Sequence, residues 1–287
     1  MSELRKVLVV GAGTMGNGIA QVCAQAGMTV TLTDVAPAVL ERGMQNVAKS
    51  LAKLVEKGKL DAAGRDATLG RITAASDTSA AADADLIVEA IPERMELKLA
   101  LFRDLSAKAP AHALLGTNTS SLSVTEIAGA ATDPSRVIGL HFFNPVPVME
   151  LLEIVRGLST SDETLARAQA FAASIGKKSI VVRDFPGFAT SRLGVMLGCE
   201  AIRMLEQGVA SAADIDTAMK LGYRHPMGPL ELTDLVGLDV RLAILEHLFR
   251  EVGEQFRPPV LLRQMVRAGR LGKKSGRGFY DYESGAR

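Results

Sequence analysis

The chain of 287 residues has no tryptophan, three tyrosines, two cysteines and four histidines, and aromatic residues make up only 4% of it. Cys23 and Cys199 fit neither a disulfide framework nor a zinc-ligand spacing, which points to a reducing compartment and to no metal site. An excess of one charge is equally missing, since 33 lysines and arginines meet 32 aspartates and glutamates for a net +1. Such a balance sets up no broad field for nucleic acid or an anionic membrane, so any recognition of charge must be local. No apolar run reaches the roughly 18 residues that a membrane-spanning helix needs. The N-terminus passes straight from Met-Ser-Glu-Leu-Arg-Lys into a short apolar run, with no secretory leader. A cytoplasmic protein is expected. What is present, 47% hydrophobic and 23% charged residues, is a globular composition on a chain long enough for about two domains.

Val7-Leu8-Val9-Val10 is an apolar run of the kind buried on both faces of a parallel sheet. It opens into Gly11-Ala12-Gly13-Thr14-Met15-Gly16, and Met15, Ile19, Val22 and Cys23 then recur at helical spacing until Gly27. In such a strand–turn–helix Gly11 makes the tight turn, Gly13 lets the backbone approach a pyrophosphate, and Gly16 lets the helix pack on the strand. Free amides at the helix start, at Thr14 and Met15, face the phosphates. A second strand, Thr29-Val30-Thr31-Leu32, leads to Asp34. A carboxylate there accepts from the adenine-ribose hydroxyls and repels a 2′-phosphate, and no arginine follows at once, so NAD is favoured over NADP. The alternative is a glycine turn in a doubly wound fold that binds something else.

A polar-rich helical pattern runs from Ala38 to about Lys57, with Ser50, Lys53 and Lys57 on one face. That face is either simply solvated or a docking edge for an anionic ligand tail. Leu86-Ile87-Val88 is the next buried strand. Pro92 is expected near the first turn of the helix after it, with Glu93 and Lys98 at the cofactor end if the strand is parallel. Leu114-Leu115-Gly116 opens into Thr117-Asn118-Thr119-Ser120-Ser121, a group that either caps a helix or holds polar ligand atoms. Val137-Ile138-Gly139-Leu140 delivers His141, and Ser179-Ile180-Val181-Val182 closes the sheet. Residues 1–185 therefore read as a Rossmann-like, doubly wound α/β domain that binds NAD.

The stretch from His141 to Glu153 reads His-Phe-Phe-Asn-Pro-Val-Pro-Val-Met-Glu-Leu-Leu-Glu. A histidine that trades a proton near neutral pH needs a fixed ring and a partner for its charged form. Glu153, on the next strand, could supply both. The plainer alternative is a core histidine followed by a turn. After Asp184 the strand-type runs stop, and residues 186–287 read as an all-α domain. Its helices lie around Leu193–Leu205, from Ser211 to near Gly222, and over about Asp239–Val252 and Pro259–Ala268. A domain this small needs external packing, so a homodimer through these helices is expected. His225, among turn formers, reads as a structural loop residue, and His112 and His247 as surface or packing residues.

Taken together these motifs resemble the 3-hydroxyacyl-CoA dehydrogenase family, in its short 3-hydroxybutyryl-CoA dehydrogenase type, over almost the whole chain. The resemblance rests on the glycine turn, Asn118-Thr119-Ser120-Ser121-Leu122, the His141–Met149 stretch, Glu153 and Pro186-Gly187-Phe188. It continues through Asp214-Ile215-Asp216, Pro226-Met227-Gly228-Pro229 and the closing Gly272-to-Tyr280 segment. It implies NAD-dependent, reversible oxidation of an (S)-3-hydroxyacyl-CoA to the 3-oxoacyl-CoA. His141 is then the catalytic base, Glu153 its partner, and Ser120 the contact to the reacting oxygen. Asn144 is implied beside the nicotinamide, Asp34, Glu93 and Lys98 at cofactor positions, and Ser50 and Lys57 at the coenzyme A end. One position departs: where the family often has an asparagine, this chain has Ser191, which reaches less far and lacks paired amide donors. Two other readings remain at this point: a dehydrogenase of a small hydroxy acid or sugar acid without coenzyme A, and a non-catalytic NAD-binding protein.

Overall fold

A computed structural model describes residues 4–282. Its backbone divides into two compact units, Met1–Phe185 and Pro186–Arg287. The first alternates strands and helices. In chain order they are β1 (Lys6–Val10), α1 (Thr14–Gln25), β2 (Thr29–Thr33), α2 (Pro37–Glu56), α3 (Ala62–Gly70), β3 (Ile72–Ala75) and β4 (Leu86–Glu89). There follow α4 (Met95–Lys108), β5 (Leu114–Thr117), α5 (Val124–Ala128), β6 (Val137–Phe142), β7 (Leu151–Arg156), α6 (Asp162–Ser174) and β8 (Lys178–Arg183).

The eight strands form one sheet in the order β3-β2-β1-β4-β5-β6-β7-β8. From β3 to β6 every pair is parallel, β7 runs antiparallel to β6, and β8 is parallel to β7. The chain winds outward from β1 to β3, then returns to start again at β4. This reversal between β1 and β4 is where open α/β sheets bind ligands, beyond the carboxyl ends of the strands. The central strands are covered on both faces, which is why they read as unbroken apolar runs. Val9, Leu32, Leu86, Val88, Ile138 and Leu140 form the middle of that core.

Two elements of this unit escaped the sequence reading. β3 is a four-residue edge strand with two exposed members, and α3 carries two glycines, so neither shows a clear period. Pro92 lies just ahead of α4, which begins at Met95 with Arg94 as its N-cap. Glu93 is drawn into hydrogen bonds with the turn after β5, and the chain bends there, Arg94 N donating to Pro92 O at 2.7 Å, before the helix starts.

The second unit is helical: α7 (Thr190–Glu206), α8 (Ala212–Thr217), α9 (Pro229–Val236), α10 (Leu238–Glu251) and α11 (Val260–Arg267). Val195, Ile202, Leu230, Leu238, Leu245, Leu248 and Phe256 are among its core residues. Ser211 caps α8 by accepting from the Asp214 amide. α9 has no counterpart in the sequence reading, where its first residue, Pro229, falls among turn formers; its amides are capped from afar, the Asp216 carboxylate accepting from Leu230 N at 2.8 Å and Glu231 N at 2.9 Å.

Candidate functional site

The turn after β1 is shaped by its glycines. Gly11 sits at φ 101°, a conformation that side chains disfavour, and donates its amide to Thr33 O at 2.8 Å. A Cβ on Gly16 would overlap the Gly11 carbonyl oxygen, so the helix meets the strand only because that atom is missing. Gly13 is different: a Cβ there would meet nothing within 4 Å, so the backbone faces open space. Gly13 is also the N-cap of α1, which has neither a side-chain cap nor an acidic residue in its first turn. The amides starting at Thr14 and Met15 thus have no local side-chain acceptor, a surface suited to an anionic pyrophosphate. Asp34, just past β2, accepts from Ala12 N and Ala36 N, each at 2.9 Å, and so binds the turn to the second strand. The residues present therefore fit a dinucleotide cofactor.

On the other side of the reversal lies a buried group of charges. Lys98 Nζ is 2.6 Å from Glu89 Oε1 and 3.3 Å from Glu93 Oε2, with Glu89 and Lys98 wholly enclosed. Thr117 Oγ1 donates to Glu89 Oε2 at 2.6 Å, and Ile91 N to Oε1 at 2.8 Å. Glu93 Oε1 accepts from Thr119 Oγ1 at 2.6 Å, Ser120 N at 2.8 Å and Ser120 Oγ at 3.3 Å. Loss of water pushes the Glu93 carboxyl upward, but Lys98 and these hydrogen bonds outweigh that and hold it below the usual carboxylate range. Ser120 is thereby fixed from the end of β4. Asn118 ties the same turn to the next strand by accepting from Phe142 N at 2.9 Å.

His141 ends the parallel part of the sheet, and the antiparallel register sets Glu153 directly opposite it. Nδ1 of His141 lies 2.8 Å from Glu153 Oε2, with Glu153 fully buried and His141 7% exposed. Facing a carboxylate, Nδ1 carries the proton, which leaves Nε2 as the acceptor. The Phe143 ring lies 4.5 Å from the imidazole, centroid to centroid. Asn144 follows in an exposed loop that starts with a cis bond to Pro145. Lys177 Nζ holds this loop through the carbonyls of Val146 at 2.6 Å and Met149 at 2.5 Å.

The hydrogen-bonded groups just described include Asp34, Glu93, Ser120 and His141, at or just past the carboxyl ends of β2, β4, β5 and β6, with Lys98 on α4 and Glu153 on β7. They do not include Ser50 and Lys57, which lie with Lys53 at the far end of α2, Lys57 as its C-cap. Ser191 belongs to the second unit, in the first turn of α7. Glu89 was missed by the sequence reading. Its signal was an acidic residue closing an apolar strand, with a lysine nine positions on that needed a buried partner.

The family profile described as "3-hydroxyacyl-CoA dehydrogenase, NAD binding domain" matches residues 6–185. The profile described as "3-hydroxyacyl-CoA dehydrogenase, C-terminal domain" matches residues 187–282. A probable 3-hydroxybutyryl-CoA dehydrogenase of Bacillus subtilis is 48% identical over 282 residues, covering 98% of either chain. A 3-hydroxybutyryl-CoA dehydrogenase of Bradyrhizobium diazoefficiens is 44% identical over 97% of this chain and 96% of its own. Among solved structures, the (S)-3-hydroxybutyryl-CoA dehydrogenase of Ralstonia eutropha superposes with a TM-score of 0.95 at 42% identity, over 98% of this chain and 100% of that one.

Proposed function

Because the chain belongs to the 3-hydroxyacyl-CoA dehydrogenase family, we propose that it interconverts (S)-3-hydroxybutyryl-CoA and acetoacetyl-CoA with NAD. The observation that carries this reading is the buried His141–Glu153 contact at 2.8 Å. NAD, when bound, supplies the hydride acceptor, and the protein's own groups handle the proton and the geometry. With its proton on Nδ1, His141 takes the hydroxyl proton of the substrate at Nε2. Glu153 then stabilises the imidazolium and keeps the ring in that orientation, a combination worth about 10²–10⁴-fold in rate. In the reverse direction the imidazolium returns the proton to the ketone oxygen. Ser120, fixed through Glu93, holds the reacting oxygen, and Asn144 flanks the ring of the cofactor. The amides at Thr14 and Met15 take the pyrophosphate, Asp34 the adenine ribose, and Ser50 and Lys57 the coenzyme A end.

The second domain is read as the surface for pairing with a second copy. Leu193, Leu235, Val236 and Val240 are exposed on α7, α9 and α10, and such apolar residues favour an interface. Cytoplasmic residence is supported by two buried free thiols, one in each unit. The test of the function is an assay of acetoacetyl-CoA and longer 3-oxoacyl-CoAs, each with NADH and NADPH. The expected result is turnover of acetoacetyl-CoA with NADH. A clear NADPH preference, or turnover confined to free hydroxy acids, would overturn it.

A further inference from the structure

Glu89, Lys98 and Glu93 place two carboxylates against one ammonium, leaving one surplus negative charge at the ends of β4 and α4. The Thr117 hydroxyl and the Ile91 and Ser120 amides spread that charge without cancelling it. The start of α4 at Met95 offsets only part of it. Enclosed charge is poorly screened, so it acts on any ligand charge nearby.

The fold fixes which part of a dinucleotide comes near. With the adenine ribose at Asp34 beyond β2 and the pyrophosphate at the turn after β1, the other half extends over β4 and β5. There the two forms of the cofactor differ by one charge. The nicotinamide ring is positive when oxidised and neutral when reduced, and everything else is shared.

We propose that Glu89, by leaving the Glu89–Lys98–Glu93 group one charge negative, biases this site toward the oxidised cofactor. The bound reduced form is then the stronger donor, which favours reduction of the 3-oxo substrate on the enzyme. The inference rests on the NAD reading above. Without Glu89, Lys98 and Glu93 would be a neutral pair and the bias would vanish. Glu89 is thus a tuning residue that acts through its neighbours and does not itself touch the reacting atoms.

The experiment is calorimetric measurement of Kd for NAD and for NADH with the full-length protein and three variants. Glu89→Gln should weaken NAD by about three- to tenfold while changing NADH little. Thr117→Val removes a hydrogen bond to Glu89 and leaves the charge alone, so the NAD-to-NADH ratio should stay at the wild-type value. If Glu89→Gln does not fold, Glu93→Gln removes the other, 36% exposed carboxylate and should shift the ratio in the same direction. Equal weakening of both forms, in Glu89→Gln or in its replacement, would show a structural role only and end the proposal. If the wild-type protein binds neither form, the cofactor reading falls, and this inference with it.

Discussion

Both units bury acidic side chains, and they do so on opposite terms. In the first, Glu89 and Glu93 share an ammonium, and Glu93 also accepts from the Ser120 amide. In the second, Asp216 and Asp234 are satisfied by backbone amides and phenols. Asp234 accepts from Phe279 N at 2.9 Å, Tyr280 N at 3.0 Å and the Tyr282 hydroxyl at 3.1 Å. Asp216 caps α9 and accepts from the Tyr280 hydroxyl at 2.7 Å. The pKa directions follow. Glu93 is held low with Lys98 against it, whereas burial pushes Asp234 up, with amide and phenol hydrogen bonds opposing only in part. Carboxylates that answer backbone amides fasten the closing segment to α9. Carboxylates that answer another charge leave a field at a site.

The largest test of this contrast removes the proton acceptor. His141→Ala should lower kcat by about 10²–10⁴-fold, measured in the direction of acetoacetyl-CoA reduction, while NADH still binds. Near-wild-type turnover would return His141 to the status of a core histidine. The counterpart in the second unit should do the reverse. In Asp234→Asn the amide group opposes one of the two backbone donors, at a cost of about 1–3 kcal/mol. That loss is read as a lower urea midpoint, with turnover per folded molecule close to wild type. If Asp234→Asn instead removed activity without moving the midpoint, the division between fastening and functional acids would be wrong.

Much of this was legible in the sequence because it is local. The apolar runs of β1, β4 and β6, the glycine turn and Asp34 each follow from neighbours within a few residues. The pairing of His141 with Glu153 could be posed from sequence, but only the antiparallel register of β6 and β7 sets the two face to face. Glu89 left only a faint local signal, since beyond Lys98 its partner Thr117 arrives from a different strand. α9 was hidden because its cap, Asp216, comes from an earlier helix, leaving Gly228 and Pro229 to look like a turn. β3 fails on another ground: a short edge strand with exposed residues has no pattern to read. Long-range partners, rather than weak local preferences, account for most of what the sequence withheld.

The smallest effect separates the two kinds of acid by the sign of their pH dependence. An unfolded glutamate takes its proton near pH 4.3, whereas the folded Glu93 takes it lower. Its contribution to stability is therefore complete above about pH 4.3 and is lost as pH falls through the folded value. Asp234 has the opposite sign. Its folded pKa is raised, so its ionised form costs stability at neutral pH, and that cost is relieved as pH falls. Thermal melts from neutral pH down to acid should then show a shallower acid decline for Glu93→Gln than for wild type, and a steeper one for Asp234→Asn. The Glu93 effect should be modest, since a side chain 36% exposed is partly screened by water. Identical acid slopes in Glu93→Gln and wild type would mean that Lys98 does not hold that carboxylate, and the charge group at the site would lose its outer member.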